Sequence, residues 1–468
     1  MNLLKKFNYK NRISLYPSIE FKNIFFSIFN ALKDKKEKNY RILYKSKNLL
    51  FYPRSTLSLL RIYQYLNTFK NKRTIFIPDY FCNESLSLLR GTDAKIIFYD
   101  HSLIRNKKLI SQLSLNEADI FLFVNYFGER IKINKDLLEF IHRKKITLIE
   151  DNTHCLTSFE NSYSDIEIYS PHKLFGIEDG SIIKFRDSYD YKHFKNFHLF
   201  QKRFYRDFKL RRIIDFLSLF IKRKIRTYFG YRYPELNFTY PKNCTYKINY
   251  ELGLLSKKLL NFNCKKIDLI KKKRVSNYNS WKKNLNLILP FLKMKNLEYI
   301  PYMGIVNFIN TKERTTILKQ YNSYGLPFGH WPDLPPEVIK SRYKYKEAIK
   351  RFKNQMTLPL HQDLNKKLIE NCIEKCFERY IDSFKLVYSS TKKEIKILEK
   401  GKTIGKFLIL FDAKKDQSIL KLKFYKKFYK TYNNSREFFY KFGESLIKKL
   451  LVKNEFKFTK NLVLKLNQ

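Results

Sequence analysis

Long apolar runs are missing from this sequence. No stretch reaches the ~18 consecutive apolar residues that a membrane-spanning helix needs, and the opening MNLLKKFNYKNR lacks the apolar core of a secretory signal. Paired cysteines are missing too. Cys82, Cys155, Cys244, Cys264, Cys372 and Cys376 form no CxxC and no zinc-ligand spacing, which argues against a disulfide scaffold or zinc finger and for a reduced, cytoplasmic setting. Cys372 and Cys376, one helical turn apart, read as small core residues. Acidic residues are scarce, 43 against 94 Lys plus Arg, a formal charge of +51. Such a balance ordinarily points to nucleic acid or an anionic membrane surface. The positives are nevertheless spread along the chain without a nucleic-acid-binding motif, so nucleic acid is the minor alternative. Glycine is rare, 12 residues in 468, while Lys, Asn, Ile, Phe and Tyr abound. That is how a coding sequence rich in A and T translates, and part of the charge follows from it.

What is present suffices for a large core. Hydrophobic residues make up 44% of the chain and aromatics 17%, a globular composition, and the length implies two or three domains. Residues 1–50 form a basic lead-in with a helix near Phe21–Leu32. From 51 to about 186, RTIFIPDY (73–80), AKIIFYD (94–100), DIFLFVNYFG (119–128), ITLIED (146–151), DIEIYS (165–170) and SIIKF (181–185) read as strands. Helical stretches such as 55–66 and 135–145 separate them. Apolar runs without polar alternation indicate strands buried on both faces, hence an α/β domain with a mostly parallel central sheet and helices on both sides. The large domain spans 51–262, a smaller α/β domain 263–389 and an appended α+β module 390–468. Within the large domain, 191–232 is a basic helical insertion carrying thirteen Lys or Arg against two Asp.

Ligands gather at the carboxyl ends of strands in open parallel sheets. Three positions of that kind hold chemistry. ITLIED ends in Glu150 and Asp151, followed by Asn152, Thr153 and His154; DIEIYS ends in Ser170, followed by Pro171, His172 and Lys173; FYPRST places Ser55 and Thr56 at a helix start. A carboxylate, an amine, and hydroxyls at a helix N-terminus are what a phosphorylated pyridine aldehyde requires. The carboxylate keeps a ring nitrogen protonated, the amine forms a Schiff base and moves a proton, and the helix end favours an anion. Singly, each residue is more often a turn, cap or surface group; the combination carries the reading. No metal site is expected.

These motifs, LIEDNTHCLTS (148–158), SDIEIYSPHK (164–173), EDGSII (178–183) and VNYFGE (124–129), resemble the DegT/DnrJ/StrS family of pyridoxal-phosphate aminotransferases, best over residues 50–185 and more loosely through LPLHQDL (358–364). The resemblance implies a fold-type I transferase with pyridoxal 5'-phosphate as cofactor. Lys173 would carry the cofactor, Asp151 would face its pyridine nitrogen and His154 its phenolic oxygen. Ser170, Ser55 and Thr56 would hold its phosphate, and Tyr80 or Phe81 would lie near its ring. Two departures stand out: SPHK sets Lys173 closer to Ser170 than the family does, and the family's Asn-x-Arg element has no match in YKINYELG (246–253). Sibling dehydratases replace the lysine with histidine; counting back from Asp179–Gly180 puts Lys173, not His172, in register.

The resemblance further implies a homodimer, an amino-acid donor such as glutamate and a nucleotide-linked keto sugar as acceptor, for surface polysaccharide building. The alternatives are a lyase or dehydratase on the same cofactor, or a basic scaffold protein at a membrane surface. The insertion 191–232 could contact anionic lipid, receive a nucleotide diphosphate, or be a solvated helical pair. His330, Trp331 and His361 are candidates for the site mouth, with packing as the competing assignment.

Overall fold

The computed structural model describes residues 17, 39–115, 117–203, 214, 217–218, 221, 251–285, 287–289, 294, 296–308, 311–323, 326, 328–389, 391–399, 401–412, 417–424, 436–452 and 462–466. The helix expected near Phe21–Leu32 and nearly all of 204–250 lie outside them.

Seven strands build the central sheet: β1 (Leu49–Tyr52), β2 (Thr74–Pro78), β3 (Lys95–Tyr99), β4 (Ile120–Val124), β5 (Thr147–Asn152), β6 (Ile166–Tyr169) and β7 (Ser181–Phe185). Their order is β1-β7-β6-β5-β4-β2-β3. Strands β2 to β6 pair in parallel, and β7 runs antiparallel to both β1 and β6. Every residue of TIFIP and IFLFV is buried, and the period of two sorts them between two layers. Ile75, Ile77, Ile120 and Leu122 pack with Leu59, Ile62 and Leu66, whereas Phe76, Phe121, Phe123 and Leu148 pack with Leu137, Phe140 and Ile141. The first layer belongs to α2 (Ser55–Lys70), which follows α1 (Asn39–Leu43); the second belongs to α4 (Lys135–Arg143), which follows α3 (Leu109–Leu115). A mostly parallel sheet covered on both faces is thus what the unbroken apolar runs specify.

One strand escaped the sequence reading. LLFY straddles the boundary between the lead-in and the α/β region, has only half-buried inner residues, and is ordered by its pairing with β7, Leu50 opposite Ile183 and Tyr52 opposite Ser181. A four-residue segment carries too little periodicity to announce itself.

Beyond α5 (Pro171–Leu174) and α6 (Ser188–Lys202), the long helices α7 (Leu254–Lys265) and α8 (Ile267–Leu285) lead to a second unit. There β8 (Met303–Asn307) pairs antiparallel with β9 (Gln355–Pro359). Around this pair lie α9 (Thr311–Ser323), α10 (Pro336–Lys340), α11 (Lys346–Asn354) and α12 (Lys366–Asp382). The tail forms a five-stranded sheet from β10 (Phe384–Ser389), β11 (Glu394–Glu399), β12 (Lys402–Asp412), β13 (Gln417–Phe424) and β14 (Leu462–Leu466), with α13 (Arg436–Val452) crossing between the parallel β13 and β14. The hairpin expected at Gly401 is present, turned by φ +79° at that glycine.

The tail and the second unit share one apolar cluster. Ile395, Ile397, Phe407, Leu422, Phe442 and Leu446 join Trp281, Ile369, Ile373, Cys376 and Phe377 in it. Both Cys372 and Cys376 are buried there, as their helical spacing suggested. Phe407 is fully buried in this cluster, so Phe407→Ala should cost about 3–5 kcal/mol. Urea unfolding should lose tail and second unit together; a variant that unfolds with only the tail's signal lost would show separate cores.

Candidate functional site

Parallel pairing brings the carboxyl ends of the central strands to one edge of the sheet. Val124 lies opposite Asp151, Asn152 opposite Tyr169, and Pro78 opposite Tyr99. The segments that follow, 79–80, 125–128, 153–154 and 170–173, therefore meet. Antiparallel β7 returns to the same edge, with Ile182 opposite Tyr169 and Ser181 opposite Tyr52. That pairing carries the start of α2, and with it Ser55 and Thr56, to the Ser170 side. A bond from the Gly180 amide to the Pro53 carbonyl, 2.8 Å, closes the junction.

Lys173 sits in the one-turn helix α5, begun by Pro171 and preceded by Ser170. Its Nζ lies 3.2 Å from Thr153 Oγ1 and 3.4 Å from His154 Nε2. By contrast, His172 Nδ1 donates to the Gly180 carbonyl at 2.9 Å, with Ser170 Oγ at 3.2 Å. Burial pushes the Lys173 amine below its ordinary value, the Asp151 carboxylate opposing the shift. Burial likewise pushes Asp151 up, with Lys173 drawing it back down. Asp151 Oδ1 accepts the Thr153 amide at 2.9 Å. Thr153 was not among the site residues read from the sequence, because a threonine after a strand carries no signal of its own.

His154 is held as a neutral ring. Phe127 (18° to the ring) and Tyr302 (13°) both stack with it, centroids 5.6 Å and 4.6 Å away, and Trp331 meets it edge-on at 5.7 Å. Burial keeps its pKa well below the ordinary value, helped by Lys173 and Arg351. The Phe127 amide donates to His154 Nδ1 at 3.3 Å, so in the neutral ring the proton resides on Nε2, on the Lys173 side. Phe127 makes this contact from φ 58°, ψ 18°, a left-handed conformation that costs a non-glycine residue about 1–3 kcal/mol. Beside it Gly128, φ +95°, admits no side chain: a Cβ would stand 2.6 Å from the Ile300 carbonyl.

Tyr80 is fully buried beneath Trp331, centroids 4.5 Å apart, and its hydroxyl reaches Gln355 Oε1 at 3.3 Å. Phe81 is buried as well. Trp331 therefore is both a packed residue and part of the site wall. His330 donates Nδ1 to the Trp331 carbonyl at 2.7 Å. His361 is buried against α8, its carbonyl 2.9 Å from Asn277 Nδ2; its neighbour Gln362 reaches the Leu174 carbonyl at 3.1 Å.

Among the residues that sequence reasoning passed over entirely is Arg274. Fully buried on α8, it donates to the Leu174 carbonyl at 2.9 Å and the Tyr302 carbonyl at 3.1 Å, and burial lowers its pKa to about 10. In the run KKKR nothing distinguishes it from three solvated lysines. Of the basic insertion, α6 is described, and there His198 and Lys202 hold Glu251 at 3.3 Å and 2.9 Å. Lipid or nucleotide contact by 204–232 concerns residues almost wholly outside those described. Among the described residues no helix is long and apolar enough to cross a membrane.

No family model and no curated protein matches the sequence; solved structures match the fold. Helicobacter pylori PseC, an aminotransferase involved in the biosynthesis of pseudoaminic acid, superposes with a TM-score of 0.57 at 13% identity over 79% of this chain and 100% of its own. Spr1654 from Streptococcus pneumoniae, in its PMP form, gives 0.57 at 14% identity, covering 79% of this chain and 99% of that one. DesI in the presence of its TDP-sugar product gives 0.56 at 12%, covering 79% and 93%. The chain has the fold of these aminotransferases. The fold-type I architecture implied by the motifs is thereby the architecture observed.

His154 supplies a pH test. Its folded pKa lies well below 6.5, so below pH 6.5 the unfolded chain binds the extra proton and stability falls as pH falls. Wild type should lose stability between pH 7 and pH 5 by up to about 1.4 kcal/mol per unit more than His154→Phe, which keeps the stack. Parallel urea midpoints for the two proteins across that range would refute the assignment.

Proposed function

We propose that this chain is a pyridoxal-phosphate-dependent aminotransferase that delivers an amino group from an amino acid such as glutamate to a nucleotide-linked keto sugar. The observation that carries the reading is a half-buried lysine amine, 3.2 Å from Thr153 Oγ1 and 3.4 Å from His154 Nε2, beside the buried Asp151 carboxylate at the carboxyl edge of a parallel sheet.

The donor set fits the cofactor. Lys173 Nζ would be the covalent attachment point, and a lysine whose charge burial disfavours is available as a nucleophile and a base. Asp151, on the next strand, would hold the pyridine nitrogen, while His154 Nε2–H would donate to the phenolic oxygen. Ser55 and Thr56 open the first turn of α2, where no side chain caps the helix, and with Ser170 they would form the phosphate cradle. When bound, pyridoxal phosphate supplies an electron sink for the carbanion at the substrate carbon. Lys173 Nζ then shuttles the proton, Thr153 Oγ1 positions that amine, and Trp331, Tyr302 and Phe127 exclude water.

A keto sugar as acceptor is supported by what the structural neighbours are: PseC belongs to a sugar biosynthesis, and DesI was solved with a TDP-sugar product. A homodimer formed along the cofactor domain is part of the proposal. Exposed Phe69, Leu199 and Phe200 on α2 and α6 offer apolar surface for it.

Adding pyridoxal phosphate to the purified protein should produce a visible absorption band that shifts with glutamate. Lys173→Ala should abolish the band and the turnover, while Asp151→Asn should lower turnover by about 10²–10⁴-fold with the band retained. Persistence of both band and turnover in Lys173→Ala would falsify the assignment; a wild-type protein that takes up no cofactor would favour a scaffold protein instead. In light scattering at micromolar concentration the mass should be that of two chains, and a fully active monomer would remove the dimer.

A further inference from the structure

One cation at the site has no anionic partner among the described residues. Arg351, on α11, places its guanidinium carbon 4.4 Å from the Tyr80 ring centroid, 4.6 Å from Tyr126 and 5.7 Å from Phe127. Phe127 is the ring stacked on His154, which in turn lies 3.4 Å from Lys173 Nζ. Among the described residues no carboxylate pairs with Arg351 and no acceptor takes its N–H groups. A guanidinium over aromatic faces keeps its donor fork available, and that fork matches the two oxygens of a carboxylate or phosphate. A second cation adds to the field. Arg314 is fully buried on α9, donates to the Phe352 carbonyl at 2.8 Å, and leaves Nε and one terminal nitrogen without an acceptor among the described residues. Both arginines act on the Tyr80 hydroxyl.

The topology separates this charge from the cofactor's own phosphate. The Ser55–Thr56 cradle follows β1, whereas Tyr80 follows β2, and β7, β6, β5 and β4 lie between those two strands. Asp151 on β5 and Lys173 after β6 occupy the middle. We propose that Arg351 receives an anionic oxygen group of the substrate, a carboxylate or a phosphate, on the side of the reacting amine opposite the cofactor's phosphate. The inference rests on the proposed function for the identity of the reaction, and on the geometry alone for the presence of an anion site. Two sources offer that chemistry: the carboxylate of an amino-acid donor and the diphosphate of a nucleotide-linked acceptor.

The test uses the cofactor-loaded protein with two probes, glutamate followed by absorbance in the absence of acceptor, and uridine diphosphate followed by calorimetry. Arg351→Met keeps an apolar stem over the rings, and Arg351→Lys keeps the charge without the fork. Arg351→Met should weaken one probe by about 10–100-fold, with only partial recovery in Arg351→Lys, while cofactor uptake and the unfolding midpoint stay at wild-type values. Loss confined to glutamate identifies the donor carboxylate; loss confined to uridine diphosphate identifies the acceptor. Equal affinity of wild type and Arg351→Met for both probes overturns the proposal, as does a wild-type protein that loads the cofactor and binds neither probe. A protein that never loads the cofactor counts against the proposed function instead, and the calorimetric comparison still decides the anion site.

Discussion

The site depends on how one guanidinium is spent. Arg274 is removed from water and given neutral carbonyls, those of Leu174 and Tyr302, with Gln362 Oε1 at 3.2 Å. Leu174 directly follows Lys173, and Tyr302 is the ring beneath His154. A single side chain therefore ties the turn that carries the amine to the wall that keeps the imidazole neutral, and ties both to α8. A buried cation is expensive, and these carbonyl acceptors, with the charge of Asp363 nearby, offset part of that cost.

Behind the carboxyl edge, a second polar network braces the strands from the opposite face. Successive residues of β5 point to opposite sides, so Glu150 lies across the sheet from Asp151. It accepts from Asn125 Nδ2 at 2.7 Å, Ser162 Oγ at 2.7 Å and Ser164 Oγ at 3.0 Å, and Lys184 pairs with Glu167 at 2.7 Å on the neighbouring strands. The Asn125 donor fixes the level of the 125–128 segment relative to β5, while Ser162 and Ser164 tie the loop before β6 to the same carboxylate. The strained Phe127 that follows is thereby over-determined on both sides, by Asn125 and by the Tyr302 amide donating to its carbonyl at 2.8 Å. Asp79 does the same for Tyr80: its Oδ1 accepts the Tyr80 amide at 2.8 Å and His101 Nδ1 at 2.7 Å.

The central sheet was legible because its strands are buried on both faces, which leaves an unmistakable pattern of apolar runs. Asp151, His154, Ser170 and Lys173 were legible because chemistry at a parallel sheet collects where runs end. Lys173, Asp151 and His154 do converge, and Ser55 and Thr56 reach the same edge through the β1–β7 pairing. What the sequence could not display were contacts made across long separations by ordinary residue types. Arg274 and Leu174 are 100 positions apart, and Tyr80 and Gln355 are 275 apart. In a chain with 94 basic residues, composition hides a buried cation such as Arg274 among solvated ones. Nor does a tail read as appended reveal that Ile395 and Phe407 complete the cluster around Trp281.

The same excess of positive charge explains why burial must do the work that charge pairing does elsewhere. Lys173 is attracted first by Asp151, whose own carboxyl burial pushes up, and also by Glu84. In the buried site desolvation shifts each group toward its neutral form, and the attraction between the two opposes that shift. The shielding rings, Phe127, Tyr302 and Trp331, supply that dryness without adding a competing charge, and His154 stays neutral within them. An aromatic-rich, lysine-rich composition thus suits the chemistry. The rings of Phe127, Tyr302 and Trp331 lower the local dielectric around His154 and the Lys173 amine beside it.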